Sequence, residues 1–335
     1  MLQFPIQLFL NATTANLCID ASNKPKLNCP ILVRYGVAQP QYSNQYFLGC
    51  LADIYAYQHN IQNKIITIPE IREILCKAIN LDKFVQLHNA TLVSLFRYRK
   101  DDFLTMEENE SVSNYIDKYK NSQLYKRLNL DDGILGFIGS EEKEKPLDFF
   151  KSTVLSYEHF LEYLRDETIV VEYTYLWEII CEKNPLLLPY GLNLVILEIT
   201  NHDITNNVDL LCPTSVYNSQ LYDNTKETFI IVKDREFYEP VYLYEITSLN
   251  PEIISYKKSF TITSDPKKDI AGLNVILKMI ESWTLQCTPS HKKKNTVFTK
   301  NIMADKILSI FVFIFVIRNR IIFFNCQEII FTISK

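Results

Sequence analysis

The stretch ETFIIVKDREFYEPVYLYE, Glu227 to Glu245, holds two β-branched and aromatic runs, TFIIV and EPVYLY, on either side of KDREF. Two such runs parted by a short charged segment predict an antiparallel hairpin with KDREF as its turn. Just upstream, LNLVILEI (Leu192–Ile199) and VDLLCP (Val208–Pro213) are short, apolar and bounded by Asn, Asp and Pro, as strands are. Further upstream the apolar spacing changes. Phe47, Leu51, Ile54 and Tyr55 recur at three- and four-residue intervals and predict a helix over Gln45–Tyr57. Thr67–Phe96 reads as one or two helices, opened by Thr67 as cap, Pro69 in the first turn and Glu70 at the capping-box position. Pro146–Glu167 reads as an amphipathic helix, and Tyr173–Lys183 as another that NPLLLPYG halts. An early strand within CPILVRYGV (Cys29–Val37) and a late helix over Asp269–Gln286 complete the pattern. The expected class is α+β, with helices packed on a small, mainly antiparallel sheet.

This reading divides the chain into a helical part at 1–100, a polar insertion or linker at 101–146, a helix-plus-sheet part at 147–264 sharing one core with 1–100, and a C-terminal helix at 265–290. Residues 291–335 change character, from the basic tether HKKKNTVFTKNIMADK to text dense in Ile and Phe. The apolar run Ile307–Ile317 is shorter than the roughly 20 residues of a spanning helix, and Arg318 and Arg320 interrupt any extension. Membrane anchor, strand pair and shifted reading frame in A+T-rich DNA all fit this tail, and the last is favoured. A membrane partner enters only if the 307–333 tail is genuine.

With 335 residues, 47% hydrophobic, the chain can bury a large core. Its net charge of -4 gives no general attraction to nucleic acid, so none is expected as a partner. Eight cysteines lie apart, without CxxC pairs or Cys/His clusters, and read as reduced cytosolic thiols rather than metal ligands. The N-terminal apolar stretch lacks a basic n-region, which argues against secretion and makes the sequons at Asn11, Asn89 and Asn109 chance matches. Only 7 glycines are present, and no Walker loop, dinucleotide fingerprint, HExxH or GxSxG occurs. No cofactor and no metal is expected.

The sharpest chemical candidate is Cys50, at the head of the apolar helix in SNQYFLGCLADIYAY (Ser43–Tyr57). A cysteine near a helix N-terminus has its thiolate favoured by the helix dipole. The competing reading, a small core residue between apolar neighbours, is about four times as probable given how often free cysteine is buried. His59, His88, His159, His202 and His291 are the available bases, none in a motif. Glu198, Asp203 and Asp209 could belong to a metal-dependent nuclease core, but the nearest lysines, Lys226 and Lys233, fall in the next segment; solvent-facing strand ends are the favoured reading. Tyr238, Tyr242 and Tyr244 alternate along one face of a strand, a candidate binding face for a partner protein or else core.

FIIVKDREFYEPVYLYE has the shape of the histidine-bearing hairpin in ovarian-tumour-like, papain-like cysteine proteases, which it resembles faintly. That family opens the second strand with His-Tyr, where this chain has Phe237 and Tyr238 ahead of Glu239. Its Asp three residues before the nucleophile is Phe47 here. The likeness therefore implies a similar topology and a degenerate relative, with Cys50 as nucleophile only if another base exists. Over roughly Phe4–Tyr244, text such as QYFLGCLADIYAY and YTYLWEIICEKNPLLLPYGLNLVILEI resembles a segment of large, uncharacterised proteins of nucleocytoplasmic large DNA viruses. That likeness implies a viral protein bound to viral or host proteins in the host cytoplasm or the virion, and it brings no catalytic residues. It also implies that the chain is a fragment of a longer protein. A non-catalytic interaction or structural module is the favoured reading, with the question of an enzyme left open and leaning to no.

Overall fold

Apolar strand runs and three-to-four spacing in the helices meet at one sheet with apolar layers on both faces. The computed structural model describes residues 26–97 (save 43 and 63), 117–128, 141–199, 208–213, 222–246, 254–263 and 273–284, with isolated positions before 26. In chain order the elements are β1 (Ile31–Arg34), α1 (Tyr46–Gln58), α2 (Ile68–Ala78), α3 (Leu81–Gln86), a 3-10 turn (Leu87–Ala90), α4 (Thr91–Leu95), α5 (Gln123–Arg127) and α6 (Glu141–Arg165). A second 3-10 turn (Tyr173–Tyr175) leads to α7 (Trp177–Cys181), then β2 (Asn193–Ile199), β3 (Val208–Leu210), β4 (Thr228–Asp234), β5 (Phe237–Ile246), β6 (Ile254–Lys257) and α8 (Leu273–Thr284).

The sheet runs β1-β5-β4-β2-β3, with β6 also on β5. The class is α+β, and the sheet is mixed: β2 and β4 are parallel from Asn193↔Thr228 to Glu198↔Lys233, while the other pairings are antiparallel. Both parallel strands are covered on two faces, which is why their sequences run apolar without alternation. Leu194, Ile196, Phe229 and Ile231 join the core beneath α1–α7, whereas Val195, Leu197, Ile230 and Val232 pack with Leu273, Ile276, Leu277 and Ile280 of α8. The hairpin is tighter than KDREF suggests, because Asp234 pairs with Phe237 and only Arg235 and Glu236 turn, Arg235 at φ 57.

β5 belongs to two neighbourhoods. Its first residues pair with β4 as far as Pro240, and its later ones lie between β1 and β6. Pro240 accepts from the Tyr35 N–H at 3.0 Å but has no N–H to return, so the β1 ladder ends there.

The helical layer follows its caps. Thr67 and Glu70 form the expected capping box, Asn80 caps α3 through the Lys83 N–H, and Thr67–Phe96 therefore breaks into three helices and a 3-10 turn. Within the stretch read as a polar insertion, α5 docks on the core: Asp82 accepts from the Gln123 and Leu124 N–H groups, and Tyr125 packs on Phe150 at 5.2 Å. The expectation of eight reduced thiols is corrected. Cys18 and Cys29, with Cα atoms 5.4 Å apart, form a disulfide in the segment before β1, and Cys212 is disulfide-bonded too. Cys50, Cys76 and Cys181 are free. Residues 285–335, with the tail, lie outside the described residues, as do His202, Asp203 and His291.

His88 should make stability depend on pH. It is buried at φ 52 in the 3-10 turn, and burial lowers its pKa from 6.5 to about 4. Between those values the unfolded chain binds the proton and the folded one does not. Stability is therefore complete above about pH 6.5 and falls, by up to about 3 kcal/mol, as pH drops towards 4. Urea denaturation from pH 7 to 4 should show that slope, and His88→Asn, which keeps the left-handed backbone, should flatten it. A slope unchanged by the substitution would assign the loss to other groups.

Candidate functional site

Cys50 sits on the second turn of α1 and points inward, fully buried. Burial pushes its thiol well above the ordinary range, and the Asp53 and Glu239 carboxylates push it the same way. The described histidines are placed elsewhere: the His59 ring bonds with the Leu187 carbonyl at 3.0 Å, the His159 ring with the Phe96 carbonyl at 3.2 Å, and the His88 ring is buried beside Tyr175, ring centroids 6.3 Å apart. Helix and hairpin do meet, since Tyr46 packs on Phe237 at 4.7 Å and Phe47 on Tyr238 at 5.5 Å. Those contacts are aromatic; Phe237 itself is half exposed. Nothing in this arrangement generates a thiolate.

The tyrosine row divides. Tyr238 is buried under α1, and its hydroxyl donates to Glu172 at 3.2 Å. Burial, then Glu172 and Tyr173, raise its pKa. Tyr242 is buried too and donates to Asp53, which also accepts from Lys258 Nζ at 2.7 Å. Burial nevertheless raises the Asp53 pKa. Tyr244 is only partly buried and meets Tyr256 at 5.3 Å; Tyr35 is 5.8 Å from Tyr256 and 5.1 Å from Tyr242. Tyr35 and Tyr256 are each 42% exposed, so the accessible aromatic surface is built largely from tyrosines that the strand pattern does not reveal.

This surface opens into a groove of about 490 Å³. Its floor is the small-residue face of α1, Gly49, Ala52, Asp53 and Ala56, which leaves depth. One wall is the segment following β1, residues 35–39; the other is made by residues 60–62 and 64–66 and carries the exposed Ile65. Gly49 lets the first wall approach: a Cβ there would meet the Val37 carbonyl oxygen at 2.8 Å. Gln39 joins the walls, donating to the Ile66 carbonyl at 2.7 Å and accepting from the Ile68 N–H at 3.1 Å. Across Tyr57 and Asn60 lies a second hollow of about 460 Å³, bordered by Lys183, Tyr190, Lys226 and Glu227.

No protein-family model, curated protein or solved structure matches this chain. The functional reading rests on this geometry.

The carboxylate candidates are organised by the parallel pair. Glu198 stands opposite Asp209 on β3 and beside Lys233 on β4, its carboxylate 2.6 Å from Lys233 Nζ. The sequence placed that lysine in a later segment; parallel pairing makes it a neighbour. Lys233 is thereby neutralised, and among the described residues no group of three or more His, Cys, Asp or Glu could hold a metal ion. Lys226 is remote from this row and donates to the Cys181 carbonyl at 2.9 Å. Among the described residues no helix is long and apolar enough to cross a membrane.

Proposed function

We propose that the chain is a non-catalytic interaction module whose binding site is the groove on α1, and that it works as a segment of a large DNA-virus protein contacting viral or host proteins in the host cytoplasm or the particle. The observation that carries this reading is the contrast on one helix. α1 seals its only thiol in the core, with its pKa raised, while its small-residue face floors an open hollow with braced walls. A nucleophile needs the reverse, a thiolate in a cleft with a base in reach. The alternative reading, a degenerate ovarian-tumour-like protease using Cys50, draws on the helix–hairpin contact alone.

Treatment of the native chain with iodoacetamide and with a ubiquitin-based electrophile, followed by peptide mass spectrometry, separates the two. Cys50 should label at least about 10³-fold more slowly than in the urea-unfolded chain, because reaction requires opening of the core. Fast, fold-dependent labelling of Cys50 would overturn the module reading.

A further inference from the structure

We propose that the Cys18–Cys29 disulfide is a thiol-operated clasp that, while closed, holds the chain before β1 over Tyr244, at the aromatic edge of the candidate site. The clasp follows from packing alone; its bearing on binding rests on the interaction-module reading. Beside the two large cores stands a third, very small one. Its buried members among the described residues are Cys18 and Ile31, with Cys29, Val33 and Tyr244 partly buried against them. The cystine is thus much of its own core. The Lys26 N–H adds a bond to the Cys18 carbonyl at 2.7 Å. So little apolar contact does not offset the entropy of ordering a segment, whereas a bridge between residues 11 apart removes much of that entropy from the open state. Local opening should therefore be rare while the bridge stands and frequent once it is cut.

The covered ring leads to the groove. Tyr244 meets Tyr256, Tyr256 meets Tyr35, and Tyr35 lines the groove. Release of Cys18 uncovers Ile31, Val33 and Tyr244 and enlarges the aromatic surface that Tyr35 and Tyr256 already expose. The chemistry is thiol–disulfide exchange with glutathione. Cys29 is only partly buried, so a glutathione thiolate attacks its sulfur. The S–S electron pair leaves on the Cys18 sulfur, which takes a proton. A second glutathione thiolate attacks the glutathione sulfur of the mixed disulfide and releases the Cys29 thiolate, which is protonated in turn. The products are two protein thiols and one glutathione disulfide. The free thiols do not divert this exchange: Cys50, Cys76 and Cys181 belong to the helical core, and burial raises the pKa of each. Disulfides persist at particle surfaces and are reduced in the cytosol. The two locations of the proposed reading therefore set the clasp differently, open in the cytoplasm and closed in the particle.

The test compares three samples: the full chain oxidised, the same chain equilibrated with excess reduced glutathione, and Cys18→Ala/Cys29→Ala kept oxidised, in which the Cys212 disulfide remains. Peptide mass spectrometry should find the bridge formed in the first and cut in the second. Hydrogen exchange of the Lys26 amide should then rise on the order of 100-fold in the second and third, while α1 and α2 keep their protection. Acetylation of Tyr244 by N-acetylimidazole should quicken severalfold in both. No bridge in the oxidised chain, a bridge that survives glutathione, or slow Lys26 exchange in the double variant would each overturn the clasp. So would loss of protection in α1 and α2 in both opened samples; loss in one alone marks that sample as unfolded and leaves the other to decide. Unchanged Tyr244 acetylation would overturn the uncovering of the aromatic surface. Fast Cys50 labelling sinks the module reading and leaves the clasp standing, whereas a silent Cys50 with any of these failures sinks the clasp alone.

Discussion

Arg72→Ala should cost the fold about 3–5 kcal/mol, the largest loss expected from any single polar truncation among the described residues. Arg72 lies on the inner side of α2 with 2% of its surface exposed. Its guanidinium donates to the Leu164 carbonyl at 2.7 Å, the Gln45 side-chain oxygen at 2.9 Å and the Ile169 carbonyl at 2.7 Å. Leu164 stands in the last turn of α6, where a cation also meets the negative end of the helix dipole. Gln45, at the N-cap of α1, donates in turn to Ile169 at 2.9 Å. One side chain therefore ties α2 to the start of α1 and the exit of α6. Burial lowers the Arg72 pKa, and its Nε has no partner, so the pairing offsets desolvation only in part. Alanine strands the Leu164 carbonyl at about 1–3 kcal/mol, leaves the Gln45 side-chain oxygen with only the Val171 N–H at 3.5 Å and the Ile169 carbonyl with Gln45 alone, and leaves a void. Arg72→Met fills most of that void without restoring a donor, so it should recover part of the loss. Urea denaturation of both variants decides the matter: an Arg72→Ala loss below about 1 kcal/mol would show that water or a shifted Gln45 satisfies these carbonyls.

Arg72 also marks the limit of what the sequence discloses. In IPEIREILCKA it occupies an ordinary place in an amphipathic helix, and nothing local says that its acceptors arrive from residues 45, 164 and 169. Features whose cause is local were legible. The capping box of α2 needs only Thr67 and Glu70, and β4 and β5 need only two apolar runs and a turn. Features whose cause is a long-range register were not. Apolar runs such as NLVILEI and TFIIVKD show that a strand is buried, but not whether its neighbour is parallel, and the Glu198–Lys233 pair depends on that choice. β6 was missed because ISYK is short and followed by a second lysine, yet it brings Tyr256 to the surface cluster and leads into Lys258 beside Asp53. The groove is assembled from segments near residues 36, 53, 62 and 258, so no window of sequence contains it. Cys50 was the reverse case, a conspicuous residue whose burial the apolar neighbours already implied.

Gly191→Val should destabilise by about 3–5 kcal/mol, for two reasons that add at one backbone position. Gly191 has φ +60, where a β-branched residue is strained, and it enters β2 in close contact with the end of α7. A Cβ would stand 2.7 Å from the Cys181 carbonyl oxygen and 2.9 Å from the Glu182 carbonyl carbon, both backbone atoms that cannot rotate away. Alanine meets the same contacts with less strain and should cost about 2–3 kcal/mol. The position also matters to the site. The Gly191 carbonyl accepts from the buried Gln58 side chain at 3.0 Å, and Gln58 ends α1 next to Tyr57, where the two hollows join. A shift of residue 191 therefore reaches the groove through the last turn of α1. In urea denaturation the two variants should rank Val above Ala in loss, and Gly191→Ala, still folded, should loosen amide protection at Gln58. Full stability of the valine variant would mean that the turn before β2 can move away from α7, and would remove the brace that holds this end of the groove.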